Sequence, residues 1–145
     1  MPITRVRELM TSVVETLTVG DTLLAAREQL ERGRIRHLPV VDGDEHLVGL
    51  ITHRHILEAW VSHGQPGLET PDRIAAEVPV EMLMEKDVLT VDPDTAAARA
   101  ARLLISHRFG CLPVVEGGKL VGIITEADFV SFAQRFFEWE MGTST

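Results

Sequence analysis

Two stretches of the chain share an unusual arrangement of apolar positions. Residues 38–52, LPVVDGDEHLVGLIT, and residues 112–125, LPVVEGGKLVGIIT, each run apolar, turn polar, and run apolar again. Val and Ile dominate both arms, which predicts two β-hairpins. In the second, Gly117-Gly118 supplies the positive φ values that a two-residue primed turn requires. The arms do not alternate cleanly between apolar and polar, so both faces of each sheet should be covered, one of them by helices.

A helix is expected before each hairpin. Ala97, Ala100, Ala101, Leu104 and Ile105 follow the i, i+3, i+4, i+7, i+8 spacing of one apolar stripe on a helix ending near His107. The equivalent helix, ending near Arg32, is more charged and turns Leu23, Ala26 and Leu30 inward. Asp21-Thr22 and Asp94-Thr95 suit the capping of free amides at the two helix starts. Short β-branched segments lead in: Val13, Val14 and Thr16 in one case, Val88, Thr90 and Val91 in the other. A further helix follows each hairpin, from Thr52 and from Thr125.

The whole pattern occurs twice. Leu9-Met10 recurs as Leu83-Met84, Thr18-Val19 as Thr90-Val91, Leu38-Pro39-Val40-Val41 as Leu112-Pro113-Val114-Val115, and Val48-Gly49-Leu50-Ile51-Thr52 as Val121-Gly122-Ile123-Ile124-Thr125. So steady an offset means that the order of elements is kept and only loops differ. The chain, residues 1–145, reads as a single module: repeat one at about 1–62, a linker at about 63–76, and repeat two at about 77–136. The linker, HGQPGLETPDR, is rich in Gly and Pro, with a short helix expected around Ile74 to Glu77.

Composition narrows the function. At 145 residues and 45% apolar, the chain can bury one sizeable core. Its net charge of -8 opposes the basic field that a phosphate backbone needs, so nucleic acid is not expected as a partner. The single cysteine, Cys111, and an N-terminus without the apolar core of a secretory signal point to a reduced, cytoplasmic setting. No apolar run approaches the roughly 20 residues that span a bilayer, so no membrane is expected. The six histidines include no i, i+4 pair, and no metal site is expected. No Gly-rich phosphate loop, Ser-x-x-Lys or Gly-x-Ser-x-Gly occurs, and Cys111 has no base adjacent in sequence, so the chain is not expected to be an enzyme.

The duplicated LPVV hairpins and the Gly-x-Ile-Thr-x-x-Asp motif at Gly122, Ile124, Thr125 and Asp128 resemble the CBS domain, named for cystathionine beta-synthase, which occurs as tandem pairs. The likeness covers almost the whole chain. It implies an α+β fold in which two β-α-β-β-α repeats pack with pseudo-twofold symmetry into one module. Two clefts between the repeats would then hold adenosine-containing ligands, and modules would pair as homodimers. An adenine nucleotide (AMP, ADP or ATP) is the expected ligand, with S-adenosylmethionine and NADH as further candidates and no required cofactor. An unknown protein effector would read the bound state.

The residues themselves support such a site. Asp128 can accept both hydroxyls of a ribose cis-diol. Thr125 sits at a helix start, where free N–H groups favour phosphate oxygens. Gly122, like Gly49, marks a close approach of backbone or ligand. The bland alternative is that Thr125 and Asp128 only cap the helix. The resemblance adds contacts from the other repeat: Thr11 and Val14 at the start of its first strand, Arg36 and His37 just before its Leu-Pro. In the first copy His53-Arg54-His55 stands where the second has Glu126-Ala127-Asp128, so His55 replaces the carboxylate. That weaker cleft would be formed by Thr52, Arg54 and His55 with Val88, Gly110 and Cys111, and its cationic cluster either recruits phosphate or marks a decayed site.

Phe129, Phe132, Phe136, Phe137 and Trp139 supply five of the seven aromatics on the last helix. Part of this face should be core and the surplus a partner surface, with the helix after Thr52 contributing to the same homodimer. The expected function is a regulatory, nucleotide-sensing module. The alternative is a dimerising scaffold with vestigial clefts.

Overall fold

The computed structural model describes residues 3–63, 76–108 and 110–143. In chain order these form α1 (Val6–Leu9), β1 (Leu17–Thr18), α2 (Leu23–Gly33), β2 (His37–Val41), β3 (Leu47–Thr52), α3 (His53–His63), a 3-10 turn (Val80–Met82), α4 (Ala97–His107), β4 (Cys111–Glu116), β5 (Lys119–Thr125) and α5 (Glu126–Thr143). The expected linker and most of the short helix around Ile74 to Glu77 lie outside the described residues; Ala76 and Glu77, within them, form a turn.

The fold is α+β, and its two compact units cut across the repeats. Glu15–Val88 form one unit, while the chain up to Val14 joins the chain from Leu89 onward in the other. In the first unit β1 runs parallel to β2, which pairs antiparallel with β3. In the second, β4 and β5 form an antiparallel hairpin, and Val91 bridges in parallel to Val114 where the first unit has β1. Of the β-branched lead-in residues, Val91 makes this pairing in the second copy, while Val13, Val14 and Thr16 lie outside β1 in the first. Leu17–Thr18 pairs instead, and Val13 is 90% exposed.

Each unit is completed by the leading segment of the opposite repeat. In the second, Val6 N donates to Thr95 O and Ala97 N to Thr4 O, both at 2.8 Å. In the first, Val80 N donates to Asp21 O and Leu23 N to Val78 O, again at 2.8 Å. These bonds satisfy amides that a helix start leaves open. They also explain why the two starts are capped differently. Thr22 Oγ1 accepts from Ala25 N at 3.2 Å, as expected. The other helix begins one residue later than the repeat implies, at N-cap Ala96, and Thr95 Oγ1 accepts from Asp92 N in the preceding turn. Asp94 does not cap it either: its carboxylate takes the Arg7 guanidinium at 2.7 Å.

The hairpin strands are buried in near-continuous runs, as their unbroken apolar character requires. Leu23, Ala26 and Leu30 of α2 join Leu38, Val40 and Ile51 in one core. Ala100 and Leu104 of α4 join Val6, Leu112, Val114 and Ile124 in the other. Ile105, placed on the inward stripe by spacing, is 78% exposed, because the stripe narrows to Ala97, Ala100 and Leu104. Gly117 and Gly118 have φ of 61° and 81°, and the residues flanking them, Glu116 and Lys119, pair.

Candidate functional site

Gly122 holds the key to how the second copy is assembled. Opposite it the ladder shifts register between Val114 and Val115, and Thr11 pairs with its neighbour Ile123 through two 2.9 Å backbone hydrogen bonds. A Cβ on Gly122 would stand 2.6 Å from Met10 Sδ and 3.0 Å from Thr11 O. The close approach expected at this glycine is therefore that of the Met10-Thr11 segment. Gly49 repeats the arrangement with Met84 and Glu85, and Glu85 and Leu50 exchange backbone bonds of 2.9 and 3.0 Å. The recurring Leu-Met pairs are thus the partners of the recurring glycines, each in the opposite repeat.

β5 ends at Thr125 and α5 begins at Glu126, which sets Asp128 one turn into the helix. Asp128 Oδ2 accepts from Thr125 N at 2.8 Å, and Thr125 Oγ1 lies 3.4 Å from the same oxygen. This is the carboxylate half of a capping box. The bond fixes the rotamer and uses Oδ2, while no described protein donor meets Oδ1. A half-buried carboxylate at a helix N-terminus, with one oxygen outside the cap bond, has acceptor capacity suited to hydroxyls. Ile124 is fully buried and places the turn through its backbone, its side chain belonging to the core. Thr11 and Val14 fall in the same unit as Asp128.

The first copy builds the same turn with a different acceptor. His55 Nδ1 lies 2.9 Å from both Thr52 N and Thr52 Oγ1, and His55 N donates to Thr52 Oγ1 at 3.4 Å. A backbone N–H can only donate, so Nδ1 is the acceptor and the ring proton sits on Nε2. Burial pushes the imidazole below its ordinary pKa, with Arg54 acting in the same direction against Glu58 and Glu85. The neutral ring thus keeps a donor, Nε2–H, outside the cap bond, where Asp128 keeps an acceptor. Arg54 is exposed and lies 3.7 Å from Glu58.

The residues before each Leu-Pro face the threonine of their own hairpin. His37 pairs with Thr52, and Cys111 with Thr125. Arg36 O accepts from His53 N at 3.0 Å, so its backbone supports the start of α3. Arg36, His37 and Val88 belong to the unit that carries Thr52, Arg54 and His55; Gly110 and Cys111 belong to the unit that carries Asp128. Cys111 is buried, and desolvation pushes its thiol up to about 12, so it brings neither charge nor nucleophile. Sequence reasoning did not anticipate the Met-on-Gly contacts or the imidazole cap. The paired Leu-Met and Gly recurrences were a signal for the first.

Among the described residues one grouping has metal-ligand chemistry: Asp42, Asp44 and His46 in the β2–β3 turn. Its geometry is that of a turn. Asp42 Oδ1 accepts from Asp44 N at 2.8 Å and His46 N at 3.0 Å, and these bonds lower the carboxylate's pKa from its ordinary value. Also among them, no helix is long and apolar enough to cross a membrane.

Comparison with known proteins places this architecture. A candidate acetoin utilization protein (AcuB) from Vibrio cholerae is 34% identical, with a TM-score of 0.84 over 97% of this chain and 98% of that one. CBSX2, solved in complex with AMP, is 28% identical, with a TM-score of 0.77 over 91% and 97%. The CBS domain pair of protein MJ0100, solved with 5'-methylthioadenosine and S-adenosyl-L-methionine, is 25% identical, with a TM-score of 0.76 over 89% and 98%. The chain spans less than half the length of the first curated relatives it matches. The CBS domain model matches residues 6–62 and again 79–135, so the chain belongs to the CBS domain family as a tandem pair.

Proposed function

We propose that this chain is a cytoplasmic regulatory module, without catalysis of its own, that binds an adenosine-containing nucleotide and passes the bound state to a protein effector as a homodimer. The observation that carries the reading is the Asp128 carboxylate, locked to Thr125 N through Oδ2 at 2.8 Å while Oδ1 faces no described donor. A ribose diol meets this carboxylate as two hydroxyl donors, and the open amides at the start of α5 suit the phosphate. Two proteins of the same fold are described with AMP and with 5'-methylthioadenosine and S-adenosyl-L-methionine, which supports a ligand of this class. For binding to regulate, the nucleotide must favour one conformation over another.

The test is thermal unfolding with AMP, ADP, ATP, S-adenosylmethionine and NADH in turn. At 100 times the dissociation constant, binding adds about 2.7 kcal/mol. That raises the midpoint of a domain this size by several degrees, at roughly 2–4 °C per kcal/mol. A second reading, a dimerising scaffold with vestigial clefts, is favoured by His55, which in the first copy replaces the diol acceptor with a donor. No shift with any of the five ligands would leave that reading standing. The appearance of a product on incubation with nucleotide would revive an enzyme.

A further inference from the structure

Among the described residues the methionines fall into two kinds. Met82 and Met141 are 74% and 71% exposed. Met10 and Met84, one in each repeat, are half-buried, and each packs against one of the two cores. Each also lays its thioether on a glycine of the other repeat's hairpin, in the space a side chain there would fill. Met10 Sδ stands 2.6 Å from the Cβ position of Gly122, and Met84 Cγ stands 2.8 Å from that of Gly49. An unbranched, polarisable side chain suits such a notch. It is also the apolar side chain that peroxides convert into a polar one.

Beside each thioether lies a two-bond backbone clasp. Thr11 and Ile123 exchange N–H···O bonds of 2.9 Å each, and Glu85 and Leu50 exchange bonds of 2.9 and 3.0 Å. These bridges fasten the leading segment of one repeat to the hairpin of the other. Every amide of a clasp is spent on the carbonyl opposite. An oxygen added to the sulfur is a strong acceptor, and the clasp has no free N–H to give it. Burying such an acceptor without a donor is unfavourable. The sulfoxide therefore leaves the notch and uncovers the clasp, or takes one of its amides; either way the clasp opens.

We infer that Met10 and Met84 are paired oxidation sites, at which a peroxide releases the leading segment of one repeat from the hairpin of the other. The sulfur lone pair attacks one oxygen of hydrogen peroxide and the O–O bond breaks. The departing hydroxide takes the proton from the transferred hydroxyl and leaves as water. The thioether is oxidised by two electrons to a sulfoxide, and the peroxide is reduced by two. Cys111 does not compete, because it is buried and its thiol, pushed up to about 12, holds almost no thiolate at neutral pH.

Hydrogen peroxide added to the native full chain tests this, with peptide mass mapping to locate the oxygen and NMR-detected amide exchange to read the clasps. Met82 and Met141 are expected to oxidise first, as their exposure dictates, with exchange at the clasps unchanged. Oxidation of Met10 and Met84 then speeds exchange at Thr11, Ile123, Leu50 and Glu85 roughly tenfold or more, as the loss of paired backbone bonds does. Met10→Leu is expected to protect Thr11 and Ile123 alone, and Met84→Leu to protect Leu50 and Glu85 alone, since leucine fills a similar volume without a sulfur to oxidise. That split separates the clasps from any general effect of peroxide on the chain. Unchanged exchange at the clasps after full oxidation of Met10 and Met84, or equal acceleration in the leucine variants, would overturn the inference. So would a native chain in which these two stay reduced while Met82 and Met141 are fully oxidised. The wild-type exchange rates decide the matter should a leucine variant fail to fold.

Discussion

His55 Nδ1 stands 2.9 Å from Thr52 N, the place that Asp128 Oδ2 takes 2.8 Å from Thr125 N in the other copy. One backbone turn has been closed by two different acceptors. The choice carries a pH dependence, because an imidazole loses its acceptor lone pair when protonated and a carboxylate at neutral pH keeps its own. Burial lowers the His55 pKa in the folded state from the ordinary 6.5. Between that lowered value and 6.5 the unfolded chain binds the proton and the folded chain does not. The contribution of this cap is therefore full above pH 6.5 and is lost as pH falls toward the folded value. Urea midpoints at pH about 7.5 and about 5.5 check it. His55→Asp is expected to lose less stability than wild type over that interval, and an equal loss in the two proteins would contradict the assignment.

Gly122→Ala is expected to destabilise by about 1–3 kcal/mol, the cost of forcing a methyl into a packed contact. The Met10 side chain can move away, but Thr11 O, 3.0 Å from the new Cβ, is held by the bridge to Ile123. Gly122→Ala combined with Met10→Ala should thus stay below Met10→Ala alone. Gly142, with nothing within 4 Å of its Cβ position, is the control. Chemical denaturation of the four variants measures the difference.

Much of this was legible in the sequence, for physical reasons. The Gly117-Gly118 turn is local, requiring only positive φ, and the inward set Leu23, Ala26 and Leu30 follows from the period of the helix. What escaped depends on contacts distant along the chain. Asp94-Thr95 looks like a cap because Asp21-Thr22 precedes one, yet Thr4 O already meets the first amide of α4. The recurrence of Met10 and Gly122 was visible, but not that the methionine of one repeat sits on the glycine of the other. At the candidate site, the spacing of Thr125 and Asp128 suited both a helix cap and a diol acceptor. The geometry holds the cap bond through Oδ2, and the diol role of the carboxylate belongs to the proposed function.

Leu104 and Ile105 are adjacent and face opposite ways. Leu104→Ala is expected to cost about 2–5 kcal/mol, as a deletion in a packed core does. Ile105→Ala, at a position 78% exposed, should stay within about 0.5 kcal/mol. Comparable losses at the two sites, measured by denaturant midpoints, would mean that α4 presents a wider stripe to the core than described.

Cys111 should resist alkylation in the native state at neutral pH and react fully once unfolded, since its folded pKa of about 12 leaves almost no thiolate. The folded value is above the ordinary 9.0, so the cost appears on the alkaline side: stability falls as pH rises from about 9 toward 12. Rapid labelling of the native protein by a thiol reagent at pH 7 would contradict the burial of this side chain.

Calorimetric titration of AMP into wild type and Asp128→Ala tests the central claim most directly. The account predicts saturable binding in wild type, none in Asp128→Ala, and a weaker but measurable signal in Asp128→Asn, with all three unfolding cooperatively. Undiminished affinity in Asp128→Ala would contradict it.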